Sequence, residues 1–179
     1  MPAIRAGIHV NLPEANSQRL DIARALSVKP ESLVCDESFA ALDVAIQAQV
    51  LNLFIELREN LNLTYLFPSH DPGVVEHISD RFVIMYLGRI VEIARTEALF
   101  DEPDHLYTKA LLGEVARLDS RHRRFESVNG EIPSPIDPPS GCHFHPRCPH
   151  AKPICQEQQP TLREIAPQRF AACHLNDQH

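Results

Sequence analysis

Apolar residues recur at helical spacing over Gln18–Leu26 (QRLDIARAL), where Leu20, Ile22, Ala23 and Leu26 can turn inward, and this predicts a short helix. A run of three, Leu33-Val34-Cys35, then stops abruptly at Asp36-Glu37. That pattern predicts a buried strand with acids at its C-terminal end. Asp43 is placed to cap the next helix, in which Val44, Ala48, Leu51, Phe54 and Ile55 keep helical spacing to about Asn60. Leu63–Phe67 (LTYLF) predicts a second buried strand, ending in Pro68-Ser69-His70-Asp71. Asp71-Pro72 is a strong helix start, with Asp outside the first turn and Pro in it. Phe82–Tyr86, Leu87-Gly88 and Arg89–Ile93 predict a hairpin. Helices are expected near Thr96–Phe100 and His105–Leu118. Strands alternating with helices imply an α/β fold with a parallel sheet. No internal repeat is visible.

The pattern changes beyond the last helix. Arg121–Arg124 (RHRR) is basic and solvated, and Pro133, Pro135, Pro138 and Pro139 form a stiff linker to a cysteine-bearing tail. Three segments are therefore expected: an unassigned stretch 1–17, an α/β body 18–118, and the linker with its tail, 119–179. At 44% hydrophobic and 23% charged residues the composition is that of a globular protein. The formal charge of −7 argues against a nucleic-acid partner, which favours a basic face. No apolar run is long enough to span a bilayer, and no signal-peptide pattern opens the chain. The expectation is a cytoplasmic protein that reaches a membrane only through partners.

Two strand ends carry polar groups: Asp36-Glu37 and Ser69-His70-Asp71. Ligands of open α/β sheets sit beyond the C-terminal ends of the strands. An Asp there can hold Mg²⁺ through water, a neighbouring Glu can orient or deprotonate an attacking water, and a His on the adjacent strand can bond a γ-phosphate. Each feature alone is ordinary, since acidic pairs often follow apolar runs and a lone His after a strand is commonly a loop residue. Their order and spacing together are far more specific: LVCDE, then Ala41-Leu42-Asp43, an amphipathic helix, then Ser69-His70-Asp71.

Five cysteines are present, and four of them, Cys142, Cys148, Cys155 and Cys173, follow the pattern C-x5-C-x6-C-x17-C. Clustered thiols in a reducing compartment point to zinc or an iron–sulfur cluster rather than disulfides. The spacing lacks the close cysteine pair of short zinc fingers, while His143, His145, His150 and His174 keep zinc open. Cys35 reads as a small apolar residue inside its strand.

The segments QRLDIARAL, SLVCDE, ALDVAIQAQVLNL, LTYLFPSHD and HISDRFVIMYLGRIVE resemble the nucleotide-binding domains of ABC transporters, most closely those of oligopeptide, dipeptide and nickel importers. HLYTKALL and EIPSPIDPPSGCHFHPRCP are similar to the C-terminal extension of that family. The resemblance implies the C-terminal portion of a P-loop NTPase fold followed by a small cysteine-rich extension. By resemblance Asp36 is the Walker B carboxylate on Mg-ATP, Glu37 the catalytic base and His70 the switch histidine. Ser69, beside that histidine, is expected among the cofactor-binding residues with Asp36 and Asp43, and Asp43 ends the D-loop that touches a partner ATPase. The implied partners are a second ABC ATPase and transmembrane permease subunits, which place the chain on the cytoplasmic face of the inner membrane. The tail cysteines Cys142, Cys148, Cys155 and Cys173 would hold a [4Fe–4S] cluster, with zinc as the alternative.

Several positions depart from the family. Its phosphate-binding loop, G-x-x-x-x-G-K-[ST], cradles phosphates with backbone N–H groups and a lysine. The six glycines here, at 7, 73, 88, 113, 130 and 141, are not spaced to build it. Where the family carries LSGGQ this chain reads Leu12-Pro13-Glu14-Ala15-Asn16, which puts a carboxylate where a phosphate should lie. Ser38 replaces a usual proline, and Pro68 and Pro72 flank His70. The expectation is a truncated ATPase subunit that does not hydrolyse ATP alone. The alternatives are a non-catalytic iron–sulfur or zinc adaptor to a full-length ATPase, or a gene remnant without function.

Overall fold

In the computed structural model, which describes residues 14–36, 44–113 and 130–177, helix α1 (Glu14–Leu26) begins four residues before the expected Gln18. Strand β1 (Ser32–Val34), helix α2 (Val44–Leu61) and strand β2 (Thr64–Leu66) follow. The chain then divides into two compact units, residues 1–71 and 72–179. Glu37, Ser38, Ala41, Leu42 and Asp43 lie outside the described residues, as do Leu12, Pro13, the basic run 121–124 and residues 114–118 of the expected last helix.

The first unit is held by a small aromatic core. Val50 and Phe54, one helical turn apart on α2, are each 2% exposed. Phe54 meets Tyr65 and Phe67 edge-on, with ring centroids 5.2 and 5.3 Å apart. Leu63, just before β2, is buried with them. Strands β1 and β2 pair in parallel, with Ser32 opposite Thr64, Leu33 opposite Tyr65 and Val34 opposite Leu66.

The expectation that these strands are buried on both faces is corrected. Only their middle residues are partly covered, while Val34 is 68% and Leu66 59% exposed. Among the described residues this sheet has two strands, and Val34 and Leu66 stand exposed on one of its faces. Cys35 is buried beyond the end of β1, where its N–H donates to the Leu66 carbonyl at 2.9 Å.

In the second unit, Pro72 opens helix α3 (Pro72–Glu76), as the Asp71-Pro72 pair predicts. Strands β3 (Arg81–Tyr86) and β4 (Arg89–Arg95) form the expected hairpin. Leu87 and Gly88 make its turn with φ of 44° and 75°, the paired left-handed conformation of a two-residue hairpin loop. Phe82, Ile84 and Tyr86 alternate inward, and Arg81, Val83 and Met85 outward. A bulge follows: Ile84 faces Glu92 but Met85 faces Ile90, so Val91 is the extra residue. Because of it, Val91 and Glu92 are buried side by side.

Helices α4 (Thr96–Asp101) and α5 (Leu106–Gly113) then cover the hairpin's inner face with Leu99, Phe100 and Leu112. Phe82 and Phe100 stack edge-on at 5.3 Å.

The all-parallel sheet expected from the strand–helix alternation is found only in the β1–β2 pair. The second sheet is antiparallel and four-stranded, in the order β3-β4-β6-β5. Its last two strands, β5 (Arg163–Ala166) and β6 (Arg169–Ala171), come from the cysteine tail, which also contains helix α6 (Pro153–Glu157). Glu92 and Ile93 of β4 pair with Ala171 and Phe170 of β6, and the Ala172 N–H donates to the Val91 carbonyl at 2.9 Å. The tail therefore completes the sheet begun by the hairpin. No helix of the described residues is long and apolar enough to cross a membrane.

Candidate functional site

Parallel pairing puts the C-terminal ends of β1 and β2 side by side, and each end leads into one of the expected polar clusters. Asp36 lies two residues past Val34, and His70 four residues past Leu66. Both are exposed, as is Ser69. Ser69 is fixed in a tight turn, its hydroxyl oxygen accepting the Asp71 N–H at 3.1 Å. The turn sets the direction in which the chain leaves β2 and so presents His70 at the strand end. Asp36, Ser69 and His70 thus share one edge of the first unit, whereas Glu37 and Asp43 fall outside the described residues.

The four tail cysteines come together in the second unit. Cys142, Cys148, Cys155 and Cys173 line one pocket, with His105 and Phe144 in its wall and His145, His150 and His174 at its margins. Local backbone chemistry sets each thiol. Gly141 adopts φ of +62°, and a Cβ there would lie 2.5 Å from the Cys155 carbonyl oxygen, so only glycine fits. The next residue, Cys142, donates its N–H to that same carbonyl at 2.8 Å. A tight helical turn over His145–Arg147 delivers Cys148. Cys155 is buried within α6, where its sulfur accepts the Lys152 N–H at 3.4 Å. Cys173 follows β6 and precedes a second tight turn, His174–Asn176.

Burial dominates the acidity of three of these thiols. It pushes Cys173 up to about 11, and the neighbouring Cys142, Cys148 and Cys155 add to the rise. Cys142 and Cys148 are raised for the same first reason. In the other unit burial takes Cys35 to about 11 as well, consistent with a small apolar role.

The donor set is soft, and four thiols facing one pocket suit zinc or an iron–sulfur cluster. The expected metal site is corrected in one respect. Among the described residues no three Cys, His, Asp or Glu side chains converge closely enough to hold a metal ion. A zinc–thiolate tetrahedron draws its sulfurs to about 2.3 Å from one point.

The pocket wall contains groups that sequence reasoning did not single out. Glu92, 1% exposed, accepts the Asp104 N–H at 2.8 Å and the His105 N–H at 2.9 Å. It thereby occupies the start of α5, where unpaired N–H groups favour a carboxylate. Burial raises its pKa, partly offset by those backbone bonds. His105 is also 1% exposed and is held well below its usual range, at about 4, by burial. Its Nδ1 accepts the Tyr107 N–H at 3.1 Å. The Phe144 ring packs against His105, Tyr86 and Tyr107, with centroids 5.6, 5.4 and 5.8 Å away. From β6, Arg169 reaches back to the Glu102 carbonyl and the Asp104 carboxylate. The one available sequence signal was Glu92 itself, an acid between Val91 and Ile93 in the hairpin's second strand.

Comparison with known proteins adds to this geometry. The family described as the oligopeptide/dipeptide transporter, C-terminal region, matches residues 91–155. The oligopeptide transport ATP-binding protein AppF of Bacillus subtilis is 55% identical over 161 residues, covering 88% of this chain and 49% of AppF. A probable peptide ABC transporter ATP-binding protein, y4tS of Sinorhizobium fredii, is 48% identical over 159 residues, covering 88% of this chain and 45% of y4tS. The chain spans about half the length of the curated relatives it matches. Among solved structures, an ATP-binding cassette of an ABC transporter in its ADP conformation aligns with a TM-score of 0.49 at 22% identity, over 55% of this chain and 40% of that one.

Proposed function

We infer that this chain, whose residues 91–155 belong to the oligopeptide/dipeptide transporter C-terminal region family, contributes the C-terminal portion of an ABC-type ATP-binding subunit in a peptide importer. What carries the reading is the parallel register of β1 and β2, with Asp36 beyond one strand and His70 beyond its neighbour. Asp36 is the Mg-ATP carboxylate, Glu37 the base that orients and deprotonates the attacking water, and His70 the donor to the γ-phosphate. Ser69 supports the turn that presents His70, and Asp43 belongs to the D-loop that meets a second ATPase. Mg²⁺ in such a site neutralises charge developing on the transferred phosphoryl group.

The chain brings the water-activating side of this chemistry but no G-x-x-x-x-G-K sequence to cradle the phosphates. By resemblance Glu14 falls within the stretch where the family carries its signature motif, which meets the partner's nucleotide. Hydrolysis by this chain alone is therefore absent or very slow. Its partners are a second ABC ATPase and transmembrane permease subunits, which hold it at the cytoplasmic face of the inner membrane.

A second reading is favoured by the thiol pocket. As a non-catalytic adaptor, the chain would bind a full-length ATPase and carry a metal centre on its tail. In either reading Cys142, Cys148, Cys155 and Cys173, which line one pocket, would be the ligands of a [4Fe–4S] cluster, or of zinc, and would have to draw closer together to hold it. The cluster would supply one-electron chemistry, and zinc a redox-inert clamp. Because only thiolates ligate, loading either one would release protons and weaken as pH falls.

Co-expression of the tagged chain with a full-length peptide-importer ATPase and its permease subunits tests the assignment. Recovery of the chain with the membrane complex supports it. Recovery of the complex without the chain refutes it.

A further inference from the structure

We propose that the outer face of the four-stranded sheet docks an amphipathic helix of a partner protein, one whose apolar stripe ends in carboxylates. None of the residues that form this face lines the thiol pocket or belongs to the expected ATP site.

Strand register defines the surface. Residues directly opposite each other in a sheet share a face. Val83 stands opposite Ile93, Ile93 opposite Phe170, and Met85 opposite Ile90. Phe82, Ile84 and Tyr86 point the other way, into the core. Met85 is 55%, Val83 49% and Ile90 38% exposed, and Ile93 and Phe170 are half-buried. The five side chains form one apolar strip across β3, β4 and β6. Single exposed apolar residues are ordinary on a protein surface, but a contiguous strip marks an interaction site.

Its dimensions suit a helix. Three strands about 4.8 Å apart make a strip about 10 Å wide, which is the diameter of a helix with its side chains. The six residues of β3 run about 17 Å, the length of about eleven helical residues. Helices already cover the sheet's other face, through Leu99, Phe100 and Leu112. A second helical layer is the usual complement of a sheet with an apolar face.

Charge selects which helix. Arg81 and Arg95 stand directly opposite each other at one end of the strip. Like charges so placed destabilise a strand pair. Arg95 has the Glu97 carboxylate at 3.9 Å, but both side chains are exposed and the pair is weak. Arg89 is exposed at the other end, beside the hairpin turn. Carboxylates at both ends of a docked helix would relieve this repulsion, and the guanidinium fork suits them.

Two other occupants match the surface less well. Laying two copies of the strip together, in either direction, sets arginines against arginines. An anionic bilayer would meet a chain of formal charge −7 that has no tryptophan to anchor at the interface.

The test uses two fluorescein-labelled synthetic peptides of about 18 residues, long enough to be helical in water. Both carry a leucine stripe; one ends the stripe in glutamates and the other in lysines. Fluorescence anisotropy measures their binding to the full chain, to Arg81→Glu/Arg89→Glu/Arg95→Glu, and to Val83→Ser/Met85→Ser. Wild type should bind the glutamate peptide about tenfold more tightly than the lysine peptide, with the preference reduced by salt. The triple variant should invert the preference, and the serine variant should weaken both peptides. No binding of the glutamate peptide to wild type, or equal binding of the two peptides, would overturn the proposal. So would a preference that survives in the triple variant.

If the triple variant does not fold, the two-peptide comparison on wild type decides alone. Light scattering and flotation with phosphatidylcholine–phosphatidylglycerol vesicles run in parallel. A dimer that Val83→Ser/Met85→Ser dissolves would assign the face to a second copy, and vesicle binding lost in the same variant would assign it to a lipid surface; either result overturns the helix.

Discussion

Glu92 and His105 meet across the second unit, the buried carboxylate of β4 accepting the backbone N–H of the histidine at 2.9 Å. With the neighbouring Asp104 N–H on its other oxygen, Glu92 holds the first turn of α5 against the hairpin. The same histidine then lines the thiol pocket with its side chain. One buried acid thus links the sheet to the pocket wall.

Glu92→Gln puts an amide NH₂ where one of two N–H groups now finds an oxygen. Its expected cost is about 1–3 kcal/mol of stability, read as a lower denaturant midpoint. Glu92 titrates above its ordinary range because burial disfavours its charge. A raised acid stabilises the fold below its unfolded value of 4.5, and that contribution is lost as pH rises through the folded value. The pH dependence from this group should vanish in Glu92→Gln.

His105 acts in the opposite direction. Its value falls from 6.5 to about 4 through burial, so the folded state binds fewer protons between those limits. Its contribution is present above pH 6.5 and lost as the pH falls towards 4. A shift of that size corresponds to about 3 kcal/mol. Urea melts from pH 7 to pH 4 should show this acid loss in wild type and its absence in His105→Phe.

Gly141→Ala should disrupt the thiol pocket. The new Cβ would meet the Cys155 carbonyl at 2.5 Å and two Gln156 backbone atoms at 2.8 Å, at a φ of +62° that alanine tolerates poorly. The Cys142–Cys155 backbone bond should break, and Cys142 and Cys155 should be alkylated faster than in wild type. An unchanged alkylation pattern would show that the pocket does not depend on this approach.

Phe54→Ala tests the first unit. Removing a ring that is 2% exposed and packs on both Tyr65 and Phe67 should cost about 3–5 kcal/mol. Hydrogen exchange should quicken in α2 and β2 and stay unchanged in β3 and β4.

Local patterns were legible where they reported on a single element. The hairpin at Leu87-Gly88, the helix start at Asp71-Pro72 and the polar ends of β1 and β2 all follow from residue type and spacing. The β4–β6 pairing did not, because strands joined over a long separation leave no local period. The bulge at Val91 also escaped, and with it the reason Glu92 faces inward: an extra residue changes the face of every position after it. Burial of β1 and β2 was over-read from Leu33-Val34-Cys35 and LTYLF. An apolar run shows what could be covered and cannot name the layer that covers it, as exposed Val34 and Leu66 demonstrate. That the four cysteines line one pocket depends on Gly141 and β6, two features that cysteine spacing does not encode.

The most direct test of the account is steady-state ATP turnover by the purified chain, alone and then mixed with a full-length partner ATPase. The account predicts turnover by the chain alone below about 1 s⁻¹, the low end of ordinary enzyme rates. It also predicts that Glu37→Gln changes the rate of the mixture but not the background of the chain. Turnover by the chain alone at ordinary enzyme rates, abolished by Glu37→Gln, would contradict it.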